Sequence, residues 1–319
     1  MDRWASIKIG STSVNLLVTE ISEEGLIPSL YERRIVKLAS GIYQSGHLTP
    51  GAMERCLAAL REYAQTLEAM EVKRLWVVGT SVLRQTENAS AFTAHVARHF
   101  GWHVVCLSGE IEAAVSYLGA TACIQASDML VVDIGGGSTE IIMGYKHRPL
   151  WAKSLDLGAI SLTETFLSHD PILPSEYAAM NRHIGDSLAA NLDPEKHGEL
   201  TVVGVGGSIT ALALLDLGLD RFDENKVHGH RLAVESVRKI QDKLVSRTSV
   251  ERAELLAAEK ERAGIIVAGI AIVLALADLL AVGEIVVSAH GVNLGVIRAC
   301  KEVPSVARWI EPGAKRPIP

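Results

Sequence analysis

The sequence has few of the features that mark a membrane protein, a secreted protein or a protein with a Cys/His metal site. Aromatic residues make up only 5% of its 319 residues, and its four cysteines, Cys56, Cys106, Cys123 and Cys300, form no CxxC or Cys/His ligand spacing. We therefore expect reduced thiols in apolar strands and helices. No signal peptide precedes the first predicted strand, so we predict a cytoplasmic protein with no membrane association.

The sequence also lacks a long basic run, and its formal net charge is −6. This balance argues against a nucleic acid polymer as partner. With 48% hydrophobic and 21% charged residues, the composition is that of an ordinary globular protein, long enough for two domains. An anionic substrate would need a cleft that is locally rich in hydrogen-bond donors.

One apolar run could be mistaken for a membrane span. Residues Ala263 to Ala277 are all apolar or Gly, and Asp278 interrupts the run before four more apolar residues. A membrane span needs about 20 consecutive apolar residues. We therefore predict a buried core helix here, within a longer helical stretch from Arg252 to Leu280.

A strand–turn–strand segment occurs twice in the chain. Residues 7–17 read like residues 132–142, with an apolar strand, a Gly/Ser/Thr turn and a second apolar strand in each copy. Such a turn directs backbone N–H groups outward, where they can hold a phosphate. The two copies differ where Asp133 corresponds to Lys8. The repeat suggests two related domains that face a shared cleft.

Strands and helices alternate along both halves, which indicates an α/β fold with helices on the faces of the sheets. We predict an N-terminal domain over residues 1–126, a C-terminal domain over residues 127–310 and an exposed tail over residues 311–319. In the second domain we predict helices over Leu232–Ser246 and Arg252–Leu280, and a last strand over Glu284–Val287.

A further glycine turn, Gly204–Ser208, lies between a predicted strand and a predicted helix, so its N–H groups could face a phosphate from a helix N-terminus. The turn around Gly136 leads into a strand, which excludes the dinucleotide fingerprint, and no GxxxxGK[ST] motif occurs. A Gly-rich hairpin without a ligand is the alternative, but three such turns favour anion binding.

Two charged positions and two histidines are ambiguous on spacing alone. Glu112, like Glu110, falls in the first turn of a predicted helix, where carboxylates complement the helix dipole without any catalytic role. Arg84 follows a strand end where ligands collect in α/β folds, or is a surface arginine. His228 and His230 flank Gly229 and could share a metal; we favour loop histidines.

Read together, these segments resemble the exopolyphosphatase/guanosine pentaphosphate phosphatase (Ppx/GppA) family over about residues 5–300. The resemblance implies an actin-like, sugar-kinase-type ATPase fold with two similar α/β domains and an interdomain cleft, in the short two-domain form. It implies hydrolysis of terminal phosphate from polyphosphate or guanosine pentaphosphate. The matching motifs are Gly10–Ser13, Gly79–Asn88, Ser108–Ala113, Val132–Glu140, Leu157–Ala159 and Gly204–Ser208.

The resemblance also implies roles for individual residues. Glu112 matches the catalytic glutamate that activates water, and Arg84 matches the arginine that stabilises charge during transfer. Asp133 and Glu140 match acidic residues suited to Mg²⁺. The implied phosphate-binding residues are Gly10, Ser11, Ser13, Gly136, Gly137, Ser138, Thr139, Gly206, Gly207 and Ser208.

Two departures from the family pattern leave the activity open. Lys8 stands where the family has Asp, and Asn293 and Leu294 stand where the C-terminal pattern Gly-Leu-Arg-Glu-Gly has Arg and Glu. Lys8 either replaces a cation by touching phosphate directly or prevents metal binding and ends catalysis. The alternatives to a hydrolase are therefore a weakened sensor that binds guanosine polyphosphates or polyphosphate and, less favoured, a sugar or acetate kinase. A homodimer is possible.

Overall fold

The computed structural model describes residues 2–23, 25–122, 124–193 and 200–310. The chain forms two compact units, of which the first comprises Met1–Gly119 with Val292–Pro319 and the second comprises Ala120–Gly291. The predicted tail, residues 311–319, lies outside the described residues, as does Cys123.

The first unit contains a five-stranded sheet with the order β3-β2-β1-β4-β5. Strands β1, β2 and β3 form an antiparallel meander, and β4 and β5 continue the sheet in parallel from β1. The strands are β1 (Asp2–Ile9), β2 (Ser13–Ser22), β3 (Gly25–Ile35), β4 (Arg74–Gly79) and β5 (Val104–Cys106).

Helices pack on this sheet where apolar residues recur at helical spacing. The longest helix begins after Thr49, whose side chain accepts a hydrogen bond from the N–H of Ala52, and its buried face includes Cys56, Leu60 and Tyr63. The helices of this unit are α1 (Ile42–Ser45), α2 (Pro50–Ala69), α3 (Ser81–Arg84), α4 (Ala89–Phe100) and α5 (Gly109–Ala120).

The second unit repeats the arrangement in a six-stranded sheet with the order β10-β11-β9-β6-β7-β8. Its meander is antiparallel, and β9 and β11 extend the sheet in parallel from β6. The strands are β6 (Asp128–Ile134), β7 (Thr139–Tyr145), β8 (Arg148–Leu155), β9 (Thr201–Val205), β10 (Arg231–Ala233) and β11 (Glu284–Val287). Counted from β8, the first five strands of this sheet have the same order and directions as the five strands of the first unit, and β10 adds an antiparallel edge strand. This repetition confirms the predicted two-domain α/β fold.

The helices of the second unit enclose an apolar core. They are α6 (Ala159–Phe166), α7 (Pro174–Asn191), α8 (Gly207–Leu217), α9 (Glu224–Val227), α10 (Val234–Val245), α11 (Ser249–Leu255) and α12 (Ile266–Leu279). Helix α12 is buried on nearly all sides, which confirms a core helix within the apolar run. In the described part of the chain, no helix is both long and apolar enough to cross a membrane.

The predicted helix over Arg252–Leu280 is wrong because the chain breaks into α11, a 3₁₀ turn at Lys260–Arg262, and α12. Local propensity favoured one helix, but the buried Arg252 side chain donates hydrogen bonds to the carbonyl oxygens of Arg247 and Ala263. These bonds tie α11 to the segment before it and to the residue that follows the 3₁₀ turn. The predicted helix over Leu232–Ser246 also begins too early, because Leu232 lies in β10 and pairs with Ile285.

The C-terminal segment from Val292 belongs to the first unit. The prediction had assigned residues 127–310 to the second domain. Helices α13 (Val292–Glu302) and α14 (Pro304–Ala307) complete this unit. The amide of Asn293 donates hydrogen bonds to the carbonyl oxygens of Ser6 and Asn15, 3.0 and 3.1 Å away. Sequence order could not predict this return of the chain.

The approach of α13 to α5 depends on Gly295. A Cβ atom on Gly295 would overlap the carbonyl oxygen of Val115. We therefore expect Gly295→Ala to lower the free energy of unfolding by roughly 1–3 kcal/mol, since the packed helices must separate. The measurement is the midpoint of urea denaturation.

Gly185 provides a matched control in helix α7, because a Cβ atom there would have no described neighbour within 4 Å. We expect Gly185→Ala to stabilise the protein by roughly 0.5–1 kcal/mol through helix propensity. Equal shifts for the two alanine variants would contradict the close approach of α13.

Candidate active site

The two copies of the repeated segment have the same backbone geometry. Gly10 N–H donates to the carbonyl oxygen of Ser13 at 3.0 Å, and Gly135 N–H donates to that of Ser138 at 2.9 Å. Each turn therefore joins the end of a central strand to its antiparallel neighbour in the same way. Gly10 and Ser11 lie in the turn of the first unit, and Ser13 begins β2 directly after it.

Strand register makes Lys8 and Asp133 equivalent. Lys8 pairs with Asn15 across the hairpin and with Val78 on the parallel side, whereas Asp133 pairs with Glu140 and Val205. The difference seen in the sequence is thus a difference at one position of a common scaffold. Two acidic residues in the second unit correspond to a lysine and an amide in the first.

The first unit brings Arg84 and Glu112 together. Arg84 ends helix α3, after β4, and Glu112 lies in the first turn of α5, after β5. The Arg84 guanidinium forms an ion pair with the Glu112 carboxylate and donates to the carbonyl oxygen of Leu107 at 2.9 Å. Glu112 is only 5% exposed, whereas Glu110 in the same turn is exposed. A carboxylate that only complements the helix dipole need not be buried in an ion pair. Glu112 is therefore more than a dipole-complementing residue, and Arg84 is not an unpaired surface arginine.

In the second unit, the turn at Gly135–Thr139 is seated against helix α6. The first N–H groups of α6 donate to carbonyl oxygens of this turn, as in the bond from Ile160 to Gly136 at 2.8 Å. A Cβ atom on Gly158 would overlap the backbone of Gly136 and Gly137, so the glycine permits this contact. The helix therefore fixes the turn that the sequence assigns to phosphate.

Glu140 is held by two hydroxyl groups beside the same turn. Its Oε1 accepts hydrogen bonds from Ser138 at 2.7 Å and from Ser154 at 2.8 Å, and the residue is 1% exposed. Thr139 donates its hydroxyl to the carbonyl oxygen of Leu157. Thr139 therefore serves the structure of the turn, while Ser138 orients the carboxylate.

The third glycine turn lies next to Asp133. Gly206 has a left-handed φ of +101°, and a Cβ atom there would lie 3.2 Å from Oδ1 of Asp133 and would overlap the carbonyl oxygen of Ile134. Ser208 is buried at the start of α8. The chain thus places the Asp133 carboxylate beside the N-terminus of α8, where backbone N–H groups favour an anion.

Arg262 occupies the space above this turn, and the sequence did not predict it. A Cβ atom on Gly207 would overlap the Arg262 guanidinium, which also pairs with Glu259 at 2.8 Å. Both side chains are buried, at 7% and 3% exposure. No motif signalled them, because the predicted continuous helix hid the turn that carries them. Their arrangement brings a positive group to the glycine turn.

Asp133 and Glu140 are suited to a magnesium ion that is also coordinated by phosphate oxygens. Mg²⁺ is commonly held by one or two carboxylates, with the remaining positions filled by phosphate oxygens and waters. Asp133 and Glu140 are paired in register and buried, so they can supply those carboxylates. Within the described residues there is no group of three or more His, Cys, Asp or Glu that could hold a metal alone.

The two flanking histidines do not meet. The His228 ring lies 4.8 Å from the His290 ring between centroids, with the two planes tilted by 51°, whereas His230 pairs with Asp216 at 2.8 Å. Burial lowers the pKa of His228, and the neighbouring His290 lowers it further. That they are loop histidines without a metal stays a prediction.

Comparison with known proteins identifies the family. A model of the Ppx/GppA phosphatase family matches residues 17–301. The chain is 29% identical to exopolyphosphatase 2 of Mycobacterium tuberculosis over 313 residues, which cover 93% of this chain and 98% of that protein. The chain belongs to the Ppx/GppA phosphatase family.

Solved structures support the same conclusion. The crystal structure of the Aquifex aeolicus Ppx/GppA family member is 31% identical with a TM-score of 0.80, covering 98% of this chain and 99% of that one. An exopolyphosphatase from Cytophaga hutchinsonii is 25% identical with a TM-score of 0.86, covering 93% and 97%. The chain therefore has the two-unit α/β fold of the Ppx/GppA family.

The ion pair of Glu259 with Arg262 makes a testable contribution to stability. We expect Glu259→Gln to lower the free energy of unfolding by roughly 3 kcal/mol, because it leaves a buried guanidinium without its carboxylate partner. Urea denaturation measures the change. Glu235 pairs with Lys239 at 3.6 Å on the exposed face of α10, so Glu235→Gln is the control. Little change is expected there, and equal losses would contradict the argument.

Proposed function

We propose that this protein hydrolyses phosphoanhydride bonds and releases terminal phosphate from inorganic polyphosphate, guanosine pentaphosphate or both. The observation that carries the proposal is the buried ion pair of Glu112 with Arg84 at the carboxyl end of the first sheet. Membership of a phosphatase family and the glycine turns of both units support it.

In this proposal Glu112 is the general base. Its carboxylate accepts a proton from a water molecule as the water oxygen forms a bond to the terminal phosphorus. The bond from that phosphorus to the bridging oxygen breaks, and the shortened chain leaves with the bonding electron pair. Inorganic phosphate and the shortened polyphosphate or nucleotide are the products.

Arg84 would serve two purposes. Its guanidinium holds the Glu112 carboxylate through the ion pair and stays fixed through the bond to Leu107. The planar group presents several donors, so it can also contact the oxygens on which negative charge accumulates during transfer. A fixed donor of this kind needs no reorganisation when the charge develops.

We further propose that the glycine turns bind the phosphate groups of the substrate. The donors are backbone N–H groups of the three turns and the hydroxyls of Ser11, Ser13 and Ser208, together with Arg262 beside Gly207. Asp133 and Glu140 would hold Mg²⁺, which supplies positive charge to the phosphate oxygens when bound. Mg²⁺ and the phosphate substrate are thus the proposed cofactor and partner.

A second candidate is a weakened sensor that binds polyphosphate or guanosine polyphosphates without turnover. Lys8 favours it, because the register of β1 places a cation where the second unit has Asp133. Binding without phosphate release would support this candidate, since a ligand stabilises the folded state whether or not it reacts.

The first test is phosphate release by the purified protein from polyphosphate and from guanosine pentaphosphate, each with Mg²⁺. We expect Glu112→Gln to lower kcat by roughly 100- to 10,000-fold, since the amide cannot accept the proton. Glu110→Gln is the matched control, because Glu110 lies in the same helical turn and is exposed. Unchanged turnover by Glu112→Gln would overturn the assignment. No turnover by the wild type, with ligand-induced thermal stabilisation, would favour the sensor.

Magnesium dependence tests the second unit. We expect Asp133→Asn to raise the Mg²⁺ concentration for half-maximal phosphate release by about tenfold or more, because a charged ligand becomes neutral. A titration of activity against Mg²⁺ measures it. Asp216→Asn is the control, since Asp216 pairs with His230 outside the glycine turns. An unchanged midpoint for Asp133→Asn would remove this residue from the metal site.

A further inference from the structure

The segment that follows β3 is held against the glycine turn of the first unit by backbone hydrogen bonds. The N–H groups of Val36 and Lys37 both donate to the carbonyl oxygen of Thr12 at 2.9 Å, and the N–H group of Ala39 donates to that of Ser11 at 3.0 Å. Both acceptors belong to the turn. The backbone of Lys37 is therefore fixed next to residues that we assign to phosphate.

An arginine of helix α2 holds the same segment. The Arg55 guanidinium donates from Nε to the carbonyl oxygen of Val36 at 2.8 Å and from Nη2 to that of Lys37 at 3.5 Å. Both charged side chains are exposed, and neither forms an ion pair with a carboxylate of the described residues. Two positive charges without a carboxylate partner favour the approach of an anion, although the whole protein has a formal net charge of −6.

Lys37 also has an unusual backbone conformation. Its φ of +47° is left-handed, and in the described part of the chain only three other residues besides glycine share this region. Glu71 and Ala281 directly follow the C-caps of α2 and α12, where a left-handed residue commonly ends a helix. Lys146 lies in the two-residue connection between β7 and β8, where a positive φ is favoured.

Neither explanation applies to Lys37. It follows a strand, and the next helix, α1, begins only at Ile42. A left-handed backbone is unfavourable for lysine, and glycine would adopt it without strain. The hydrogen bonds with Thr12 and Arg55 hold Lys37 in this conformation. Backbone strain of this kind is frequent where a ligand is bound.

The Lys37 side chain is long enough to reach a phosphate at the turn. An extended lysine side chain spans about 6 Å from Cα to Nζ. The Lys37 N–H group lies within hydrogen-bond distance of the turn, so a phosphate bound there would be within reach of the ammonium group. That group has three donors and is not used by an ion pair among the described residues.

From these observations we propose that Lys37 is a phosphate-binding residue, whose ammonium group contacts a phosphate of the substrate at the glycine turn of the first unit. The ligand is a condensed phosphate, either an inorganic chain or the phosphate chain of a guanosine nucleotide. This inference rests on the proposed function, because it assumes that the turn receives phosphate.

Titration calorimetry of the full-length protein with Mg²⁺ tests the role of Lys37 without turnover. The two probes are methylenediphosphonate and the β,γ-methylene analogue of guanosine triphosphate, because their terminal phosphorus cannot be released by hydrolysis. We expect Lys37→Gly to bind both roughly threefold to tenfold more weakly than the wild type, since a charge-assisted hydrogen bond is lost. Lys37→Arg keeps the charge and should bind with nearly wild-type affinity.

Lys146→Gly is the matched control, because it removes a lysine with a similar φ of +52° at the end of β7 opposite to the turn at Gly135–Ser138. We expect it to bind both probes as the wild type does. Lys37→Gly should unfold at the same or a higher urea concentration than the wild type, since glycine relieves the left-handed strain. Its weaker binding would then not reflect a loss of folded protein.

The proposal is overturned if Lys37→Gly binds both probes as tightly as the wild type, if Lys146→Gly weakens binding equally, or if the wild type binds neither probe. Losses for both probes would assign Lys37 to the phosphate groups that they share. A loss for one probe alone would identify an inorganic chain or a nucleotide as the source of that phosphate.

Failure of this inference is distinguishable from failure of the proposed function. Unchanged turnover in Glu112→Gln would reject the hydrolytic assignment and leave lysine-dependent binding intact. Conversely, a loss of turnover in Glu112→Gln with no effect of Lys37→Gly on binding would reject only the role of Lys37.

Discussion

The hydrogen bond that closes each hairpin turn is the constraint on which the candidate site depends. Gly10 to Ser13, and Gly135 to Ser138, join a central strand to its neighbour with the same backbone pair. This closure sets the register, so it decides which side chains stand opposite one another near the turn. Neighbouring parallel strands then end at the same edge of the sheet. Backbone geometry, rather than any single side chain, therefore locates the glycine turn of each unit.

A scaffold fixed by the backbone lets the side-chain chemistry of its two copies diverge. Asp133 and Glu140 occupy one hairpin, and Lys8 and Asn15 occupy the equivalent pair in the other. In either case the turn keeps the same main-chain geometry, because the closing hydrogen bond joins backbone atoms. What differs is the charge carried beside the turn, which is that of two carboxylates in the second unit and of one ammonium group in the first. The two copies thus share the geometry of the turn, whereas the charge at the strand position of Lys8 and Asp133 differs between them.

Local patterns predicted the parts of this structure that local interactions determine. The hairpins, helix α2 and the buried helix α12 follow from strand alternation, capping and an uninterrupted apolar run. The return of α13 to the first unit depends on contacts such as Asn293 with Ser6, which join residues far apart in sequence. Arg262 was missed because its position depends on a turn held by buried Arg252, against the helical propensity of that segment. Long-range pairing of this kind leaves no periodic signal.

Two arginines, one in each unit, share one physical design. Arg84 pairs with Glu112, and Arg262 pairs with Glu259, with each carboxylate at least as buried as its partner. A buried guanidinium without a carboxylate would carry a large desolvation cost, so the carboxylate keeps the cation in place before any substrate arrives. Because the guanidinium has five N–H donors, pairing with one carboxylate leaves capacity for a phosphate oxygen. The arginine side chain is then ordered when the protein folds and not when a ligand binds. A donor that is fixed in advance stabilises a developing charge most effectively.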